Sequence, residues 1–103
     1  MTYKAKKGDV IAIERVHSCH SIGMKRTEWR DWTLGRVARA SRSGAVDQFT
    51  IGDSSLVWSV DRNVRIATIS DPEKRAAAER VLAIRGNAPF DTIDDIRAEI
   101  LCA

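Results

Sequence analysis

The sequence predicts an α+β fold: a small five-stranded, strongly bent antiparallel sheet, or an SH3-like barrel, followed by two C-terminal helices. Between residues 8 and 69, short apolar runs are separated by turn residues, and no 3.6-residue period is sustained long enough to indicate a helix. The apolar period becomes helical after Ser70. With 103 residues, of which 44% are hydrophobic, the chain can bury one core. We therefore expect a single domain, with its β part at 8–69 and its two-helix part at 70–103.

The predicted strands are short, and glycine, serine, aspartate and asparagine lie between them. The first strand has apolar residues on both faces, which is typical of a central strand. Five strands of this length indicate a small sheet or barrel. They are expected at Val10–His17, Trp29–Ala40, Val46–Ile51, Leu56–Val60 and Val64–Ile69.

The second predicted strand contains a change of parity. Trp32 and Leu34 lie on one face of an ideal strand, and Val37 lies on the other. A β-bulge assisted by Gly35 would explain the change, and it would bend the strand as a small barrel requires.

The first helix is predicted at 72–85 from the signals at its ends. Asp71 is a preferred N-cap, and Pro72 suits the first helical position. Gly86 then ends the helix.

The second helix is predicted near 92–101, with Asp91 or Thr92 as its N-cap. Both helices carry an apolar stripe, and within one domain only the β part can cover these stripes. We therefore expect the helices to cover the barrel or the open edge of the sheet.

Charge is unevenly distributed, although the formal net charge is only +3. Residues 1–42 carry ten Lys or Arg side chains against four acidic ones, whereas residues 86–103 carry one against four. Such an asymmetry can steer a basic face towards an acidic partner.

Composition also indicates the compartment. No segment approaches the ~20 apolar residues of a membrane helix, and the N-terminus lacks the apolar segment of a signal peptide. Cys19 and Cys102 are far apart in the sequence, so we expect reduced thiols. A cytoplasmic protein without membrane contact is therefore expected.

The densest cluster of reactive side chains is a candidate zinc site. His17, Cys19 and His20 are ligand types that zinc prefers, and Cys102 could be a fourth. An extended strand would spread the first three over two faces, so we predict no metal site and no cofactor. The same divergence argues against a Cys19–His20 nucleophile pair.

Other catalytic signatures are weak. Asp91, Asp94 and Asp95 lie where capping and the helix dipole account for them, and the sequence has no phosphate-loop or dinucleotide fingerprint. We therefore predict that the protein is not an enzyme.

Basic and aromatic side chains are interleaved between Lys25 and Trp32. Single-stranded nucleic acid is held by cationic grooves and by aromatic faces on which bases stack, and small barrels present such surfaces. Trp29 suits either the surface or the core, whereas Trp32 and Trp58 have apolar strand neighbours and are expected in the core. The candidate binding residues are Lys25, Arg26, Trp29, Arg30, Arg36 and Arg39.

Two resemblances add to these expectations. The segment Glu79–Ile96 resembles the closing half of helix-hairpin-helix DNA-binding repeats. This resemblance implies a way of packing two helices, without the glycine-rich hairpin that grips DNA. The whole layout, from Gly-Asp-Val-Ile to Phe-Asp-Thr-Ile-Asp-Asp-Ile-Arg-Ala-Glu-Ile, is similar to small accessory proteins of actinobacteria and their phages. That group has no assigned function, and the resemblance implies a phage or accessory protein inside the host cell.

Two functions of different classes are left open. The leading one is a non-enzymatic module that binds nucleic acid, with its cations on phosphates and Trp29 stacked on bases. The second is a protein-interaction or inhibitor module whose basic patch meets an acidic surface of a host protein. An exposed apolar anchor, Trp29 or Ile22, would favour the second function. The oligomeric state is open as well.

Overall fold

A computed structural model describes residues 4–52 and 54–102 of the chain, with side chains up to residue 100. Five strands are followed by two helices, which confirms the α+β prediction. The predicted bounds of the third strand and of the first helix agree with the structure at both ends. The elements are β1 (Val10–Cys19), β2 (Thr27–Ala40), β3 (Val46–Ile51), β4 (Val57–Ser59), β5 (Val64–Thr68), α1 (Pro72–Arg85) and α2 (Ile93–Cys102).

The strands form one antiparallel sheet in the order β4-β3-β2-β1-β5. Its two edges are β4 and β5, so the sheet is open and the alternative of an SH3-like barrel is wrong. Closure would need a ladder between the edges, but β4 has only three residues. Instead, residues 60–63, which connect β4 to β5, cross the gap between these two edges. The Val60 N–H donates to the Asp47 carbonyl, and the Asn63 carbonyl accepts from the Val16 N–H, each over 3.0 Å.

β1 is buried on both faces, as expected for a central strand. Both helices pack on one face of the sheet, and a second core lies on the opposite face. The helix-side core comprises Val10, Ala12, Leu34, Ala77, Ala78, Val81, Leu82, Phe90, Ile96 and Ile100. The second core comprises Ala5, Ile11, Ile13, Val37, Phe49 and Ile51.

The parity change in β2 does not come from a bulge at Gly35, so that prediction is wrong. Leu34, with Trp32 packed beside it, faces the helix-side core, whereas Val37 faces the second core. Both faces of β2 are therefore apolar, and its register with β1 runs unbroken past Gly35. The register against β3 shifts further along the strand, between Val37 and Arg39.

Gly35 is required for a different reason, which is the close approach of β2 to β3. A Cβ at this position would lie 2.1 Å from the carbonyl oxygen of Thr50 and 2.6 Å from Cδ1 of Ile13. Only a residue without a side chain fits between these atoms.

α1 begins and ends as its sequence predicts. The Asp71 side chain accepts a hydrogen bond from the Glu73 N–H over 2.9 Å, and Pro72 occupies the first turn. At the other end Gly86 has a φ of 63° and donates its N–H to the Leu82 carbonyl over 2.8 Å. These bonds satisfy backbone groups that a helix leaves open at its termini.

A reciprocal pair of hydrogen bonds caps α2. The Asp95 N–H donates to the Thr92 hydroxyl, and the Thr92 N–H donates to the Asp95 carboxylate, both over 3.2 Å. This capping-box arrangement selects Thr92 between the two predicted caps.

Among the described residues, neither α1 nor α2 has the length and apolar character that a membrane span requires.

Phe90 fastens the segment between the helices to the sheet. It exchanges two backbone hydrogen bonds with Trp32, of 2.9 and 2.6 Å, at a point of β2 that β3 does not reach. Its side chain is buried in the helix-side core, and the Arg85 guanidinium lies 3.8 Å from the ring centroid. Phe90 therefore serves as both a core residue and a backbone contact.

Candidate functional site

Residues 18–30 form an arm that projects from the sheet, and every one of them is exposed. In the arm β1 and β2 pair only with each other, because β5 accompanies β1 no further than Arg15 and β3 pairs with β2 only from Gly35 onward. Two-stranded ribbons are only marginally stable in water on their own. An exposed ribbon of this kind is a candidate contact surface.

Large apolar side chains lie at the tip of the arm. Ile22 is fully exposed, and 68% of Met24 is exposed. The turn that presents them is closed by a 3.0 Å hydrogen bond from the Met24 N–H to the Ser21 carbonyl, and Gly23 adopts a φ of 79°. Ile22 and Met24 flank Gly23 in this turn, and large apolar side chains exposed close together make the turn a candidate interaction site.

A polar and aromatic cluster lies where the arm joins the sheet. The His17 ring stacks on Trp29 with 5.4 Å between centroids and 17° between planes. Nε2 of His17 lies 3.0 Å from one oxygen of Asp31, and Nε of Arg15 lies 3.5 Å from the other. The cluster links β1 to β2 and orients the base of the arm.

This cluster was not predicted, although the sequence contains a signal for it. Each residue of β1 pairs with the residue of β2 that is equally far from Gly23 along the chain. A hairpin centred on Gly23 would therefore have placed His17 opposite Trp29 and Arg15 opposite Asp31.

The cluster lacks the parts of a nucleophilic site. His17 and Asp31 resemble the base and the orienting acid of a catalytic triad, but no hydroxyl or thiol that the structure describes hydrogen-bonds to His17. Cys19 is exposed and pairs with Thr27. The described side chains also include no group of three potential metal ligands, and the side chain of Cys102 lies outside them. The absence of an enzymatic or metal site stays a prediction.

The six predicted binding residues do not form one patch. Lys25, Arg26, Trp29 and Arg30 lie in the arm, whereas Arg36 and Arg39 lie in the distal half of β2. At about 3.3 Å per residue, Lys25 and Arg39 are up to about 45 Å apart. Lys25 precedes β2 and Arg39 lies next to its last residue, so the two lie at opposite ends of this strand.

Two of the arm's cations face acidic side chains. Arg26 lies 3.4 Å from Glu28, and Arg30 lies 3.7 Å from Glu14. Glu14 is buried and also lies 3.9 Å from Arg65. The arm therefore presents less free positive charge than its sequence suggests.

Arg36 has a structural role. Its guanidinium donates two hydrogen bonds to the Glu79 carboxylate, of 2.7 and 3.0 Å, and one of 3.1 Å to the Gly8 carbonyl. The hydrogen bonds from Arg36, together with its positive charge, lower the pKa of Glu79. Arg36 thus ties β2 to α1 and to the N-terminal segment.

This ion pair predicts a pH-dependent contribution to stability. Because the pKa of Glu79 in the folded state lies below its ordinary value of 4.5, the contribution is complete above that value and is lost as the pH falls through the folded pKa. Glu79→Gln should therefore lower the free energy of unfolding at about pH 7 but make little difference at about pH 2. Urea denaturation at both pH values measures this. Arg36→Gln should have the same pH-dependent effect on the free energy of unfolding. If the effects of the two substitutions added in the double variant, the pairing would be contradicted.

A second basic region lies at the end of the molecule opposite the arm. The N-terminal segment runs beside the β2–β3 turn, with the Ala5 N–H 3.4 Å from the Gly44 carbonyl and the Gly8 N–H 2.8 Å from the Val37 carbonyl. We call its exposed cations the basic end. They are Lys4, Lys6, Lys7, Arg39 and Arg42.

Trp58 is not in the core, and that prediction is wrong. It lies opposite Phe49 in the three-residue edge strand β4, and half of its surface is exposed. There it borders a shallow groove of about 260 Å³ that His17 and Asp61 also line. Trp29 is exposed to a similar extent, whereas Trp32 is partly buried and packs on the helix-side core, as predicted.

Comparison of the chain with protein-family models, with curated proteins and with solved structures finds no match. The resemblances stated from the sequence therefore stay predictions, and the case for a function depends on the surfaces described above.

Proposed function

We propose that this protein is a non-enzymatic binding module that docks on another protein through its β1–β2 arm. The observation that carries the proposal is that two large apolar side chains, Ile22 and Met24, are exposed at the tip of the arm. Protein interfaces are organised around such anchors, surrounded by a polar rim. In the arm, Lys25 would form part of that rim and would favour an acidic surface on the partner.

The charge of the arm favours a protein over nucleic acid. Nucleic-acid binding needs several cations free to contact phosphates, and here Arg26 and Arg30 face Glu28 and Glu14. The exposed thiol of Cys19 suits a reducing compartment, so the proposal places the interaction in the cell interior.

Photo-crosslinking from the tip tests the proposal. We expect a photoreactive phenylalanine analogue at Ile22, introduced in the native cell, to form an adduct with a protein, and nuclease treatment to leave that adduct intact. The same analogue at Ile84, which is 84% exposed on α1, is the matched control. Ile22→Lys combined with Met24→Lys should lower partner recovery at least about tenfold. Its melting temperature should change little, because both side chains are exposed.

The proposal would fail if Ile22 yielded no adduct beyond the Ile84 control. It would also fail if the double lysine variant recovered the partner as well as the wild type does. An adduct that nuclease removes would transfer support to the second candidate function.

The second candidate is nucleic-acid binding, and the basic end is the observation that favours it. Five exposed cations lie there, on the N-terminal segment, the end of β2 and the β2–β3 turn, with Asp9 as an acidic neighbour whose carboxylate accepts the Lys6 N–H over 2.9 Å. If all five cations contacted phosphates, affinity for labelled DNA should fall roughly 500-fold between about 50 and 200 mM salt. Fluorescence polarisation with single-stranded and duplex DNA measures this. The absence of binding at tens of micromolar protein would exclude this function.

A further inference from the structure

A groove follows the free edge of β5, away from the arm and from the basic end. We call it the β5 groove, and it encloses about 500 Å³. One side of the β5 groove is the continuous stretch from Arg65 to Asp71, and the other is formed by α2 with Lys74 of α1.

The shape of the β5 groove suits an extended chain. Among residues 4–52 and 54–102, β5 pairs only with β1, so no described strand lies along its outer edge. Arg65 and Ala67 lie opposite Glu14 and Ala12 on the helix side of the sheet, whereas Ile66 has the opposite parity. Residues of both parities from Arg65 to Asp71 line the groove, so the backbone of β5 as well as its side chains contributes to the wall, while Ala12 and Trp32 line it from the helix side of the sheet. Backbone groups on such an edge can accept a further strand.

The floor of the β5 groove is apolar. Ile69 and Ile93 are partly buried and pack with Trp32 against the helix-side core, and Ile100 lies beside them. An opening of this kind accommodates a large aliphatic side chain, and burying that side chain contributes to affinity.

The rim of the β5 groove is basic. Arg65, Lys74 and Arg97 are exposed there. Arg65 lies 3.9 Å from Glu14, which it shares with Arg30, and Arg97 lies 3.9 Å from the exposed Asp94, so both pairs are looser than the 3.4 and 3.7 Å pairs of the arm. Asp71 is the acidic residue of the lining, and its carboxylate already caps α1. The occupant should therefore carry negative charge on either side of its apolar anchor.

Charge also argues against a second copy of this chain as the occupant. A symmetric pairing of two β5 edges would bring the three rim cations of each copy together, which is unfavourable. The tip of the arm carries Lys25, so it would meet the basic rim of a second copy with the same sign of charge.

From these observations we propose that the β5 groove binds an extended acidic peptide segment of another protein, which adds to β5 as a sixth strand. One aliphatic side chain of the segment enters the apolar floor. Acidic side chains two residues before and after it lie on the same face of the added strand and reach the basic rim. This interaction is independent of the arm.

Titration of the full, isotopically labelled chain with short peptides, followed by NMR, tests the proposal. The probe is acetyl-Glu-Thr-Leu-Thr-Glu-amide, in which both glutamates and the leucine share one face of a strand. We expect saturable amide shifts at residues 65–71 and in α2, with a Kd below about 1 mM. A peptide with lysine in place of both glutamates, and one N-methylated on its backbone, should each bind at least about tenfold more weakly.

Variants of the protein provide the matched controls. Lys74→Gln combined with Arg97→Gln should weaken binding of the same peptide, whereas Arg80→Gln, at an exposed cation of α1 outside the groove, should not. Ile22→Lys with Met24→Lys should bind the peptide like the wild type, which separates this proposal from that of the arm.

Three results would overturn the proposal. They are the absence of saturable shifts at residues 65–71 with about 5 mM peptide, equal binding of the lysine peptide, and shifts at β5 that depend on protein concentration without peptide. The last result would assign the edge to a second copy.

Discussion

Gly35→Ala should destabilise the protein by about 3 kcal/mol or more, because the added Cβ meets backbone rather than a flexible side chain. The Thr50 carbonyl oxygen lies 2.1 Å from the position of that Cβ, so β2 and β3 must separate. Separation weakens the pairing of β2 with β3, and β3 is the strand that places Phe49 and Ile51 in the second core. For a domain of this size, the melting temperature should fall by roughly 15 °C. Thermal and urea denaturation measure both quantities.

Gly23→Ala is the matched control for this substitution. A Cβ on Gly23 meets nothing within 4 Å, and the cost is limited to its φ of 79°. That conformational cost is about 1–2 kcal/mol. Equal destabilisation by the two substitutions would contradict the close approach of the strands at Gly35.

Phe90→Ala should cost about 3–5 kcal/mol, the usual range for removing a buried aromatic side chain. Phe90 is 3% exposed, and it fills the space between the helices and the sheet. Its loss leaves a cavity beside Ile96 and removes the ring on which the Arg85 guanidinium lies. The free energy of unfolding from urea denaturation, with circular dichroism as the probe, gives the magnitude.

Ile84→Ala provides the comparison for Phe90. Ile84 is 84% exposed on α1, so its truncation should change stability by no more than about 0.5 kcal/mol. If Phe90→Ala were as mild as Ile84→Ala, the segment between the helices would not belong to the core.

Local signals were sufficient to predict most elements of the fold. Asp71, Pro72 and Gly86 define α1 through backbone hydrogen bonds that depend only on neighbouring residues. The open sheet could not be predicted in this way, because closure depends on whether β4 and β5 meet. The assignment of a bulge to Gly35 failed for a related reason. A parity change indicates a bulge only when one face of a strand is apolar, and β2 has a core on each face.

The candidate site was predicted only in part. The arm includes Lys25, Arg26, Trp29 and Arg30, which are close in sequence and remain close in the structure. The ion pair between Arg36 and Glu79 joins residues far apart in the chain, and no local pattern in the sequence reveals it. The β5 groove is also built from distant segments, so its basic rim could not be read from a run of charge.

The position of β1 between two cores has a consequence for how the protein loses its structure. Val10 and Ala12 contribute to one core, and Ile11 and Ile13 contribute to the other, within four consecutive residues. A strand cannot leave one core without withdrawing from the other, because its alternate side chains share one backbone. The helices and β3 are therefore thermodynamically coupled across the thickness of the sheet. Opening of either side requires β1 to detach, so both sides should melt in one cooperative transition while the arm frays independently.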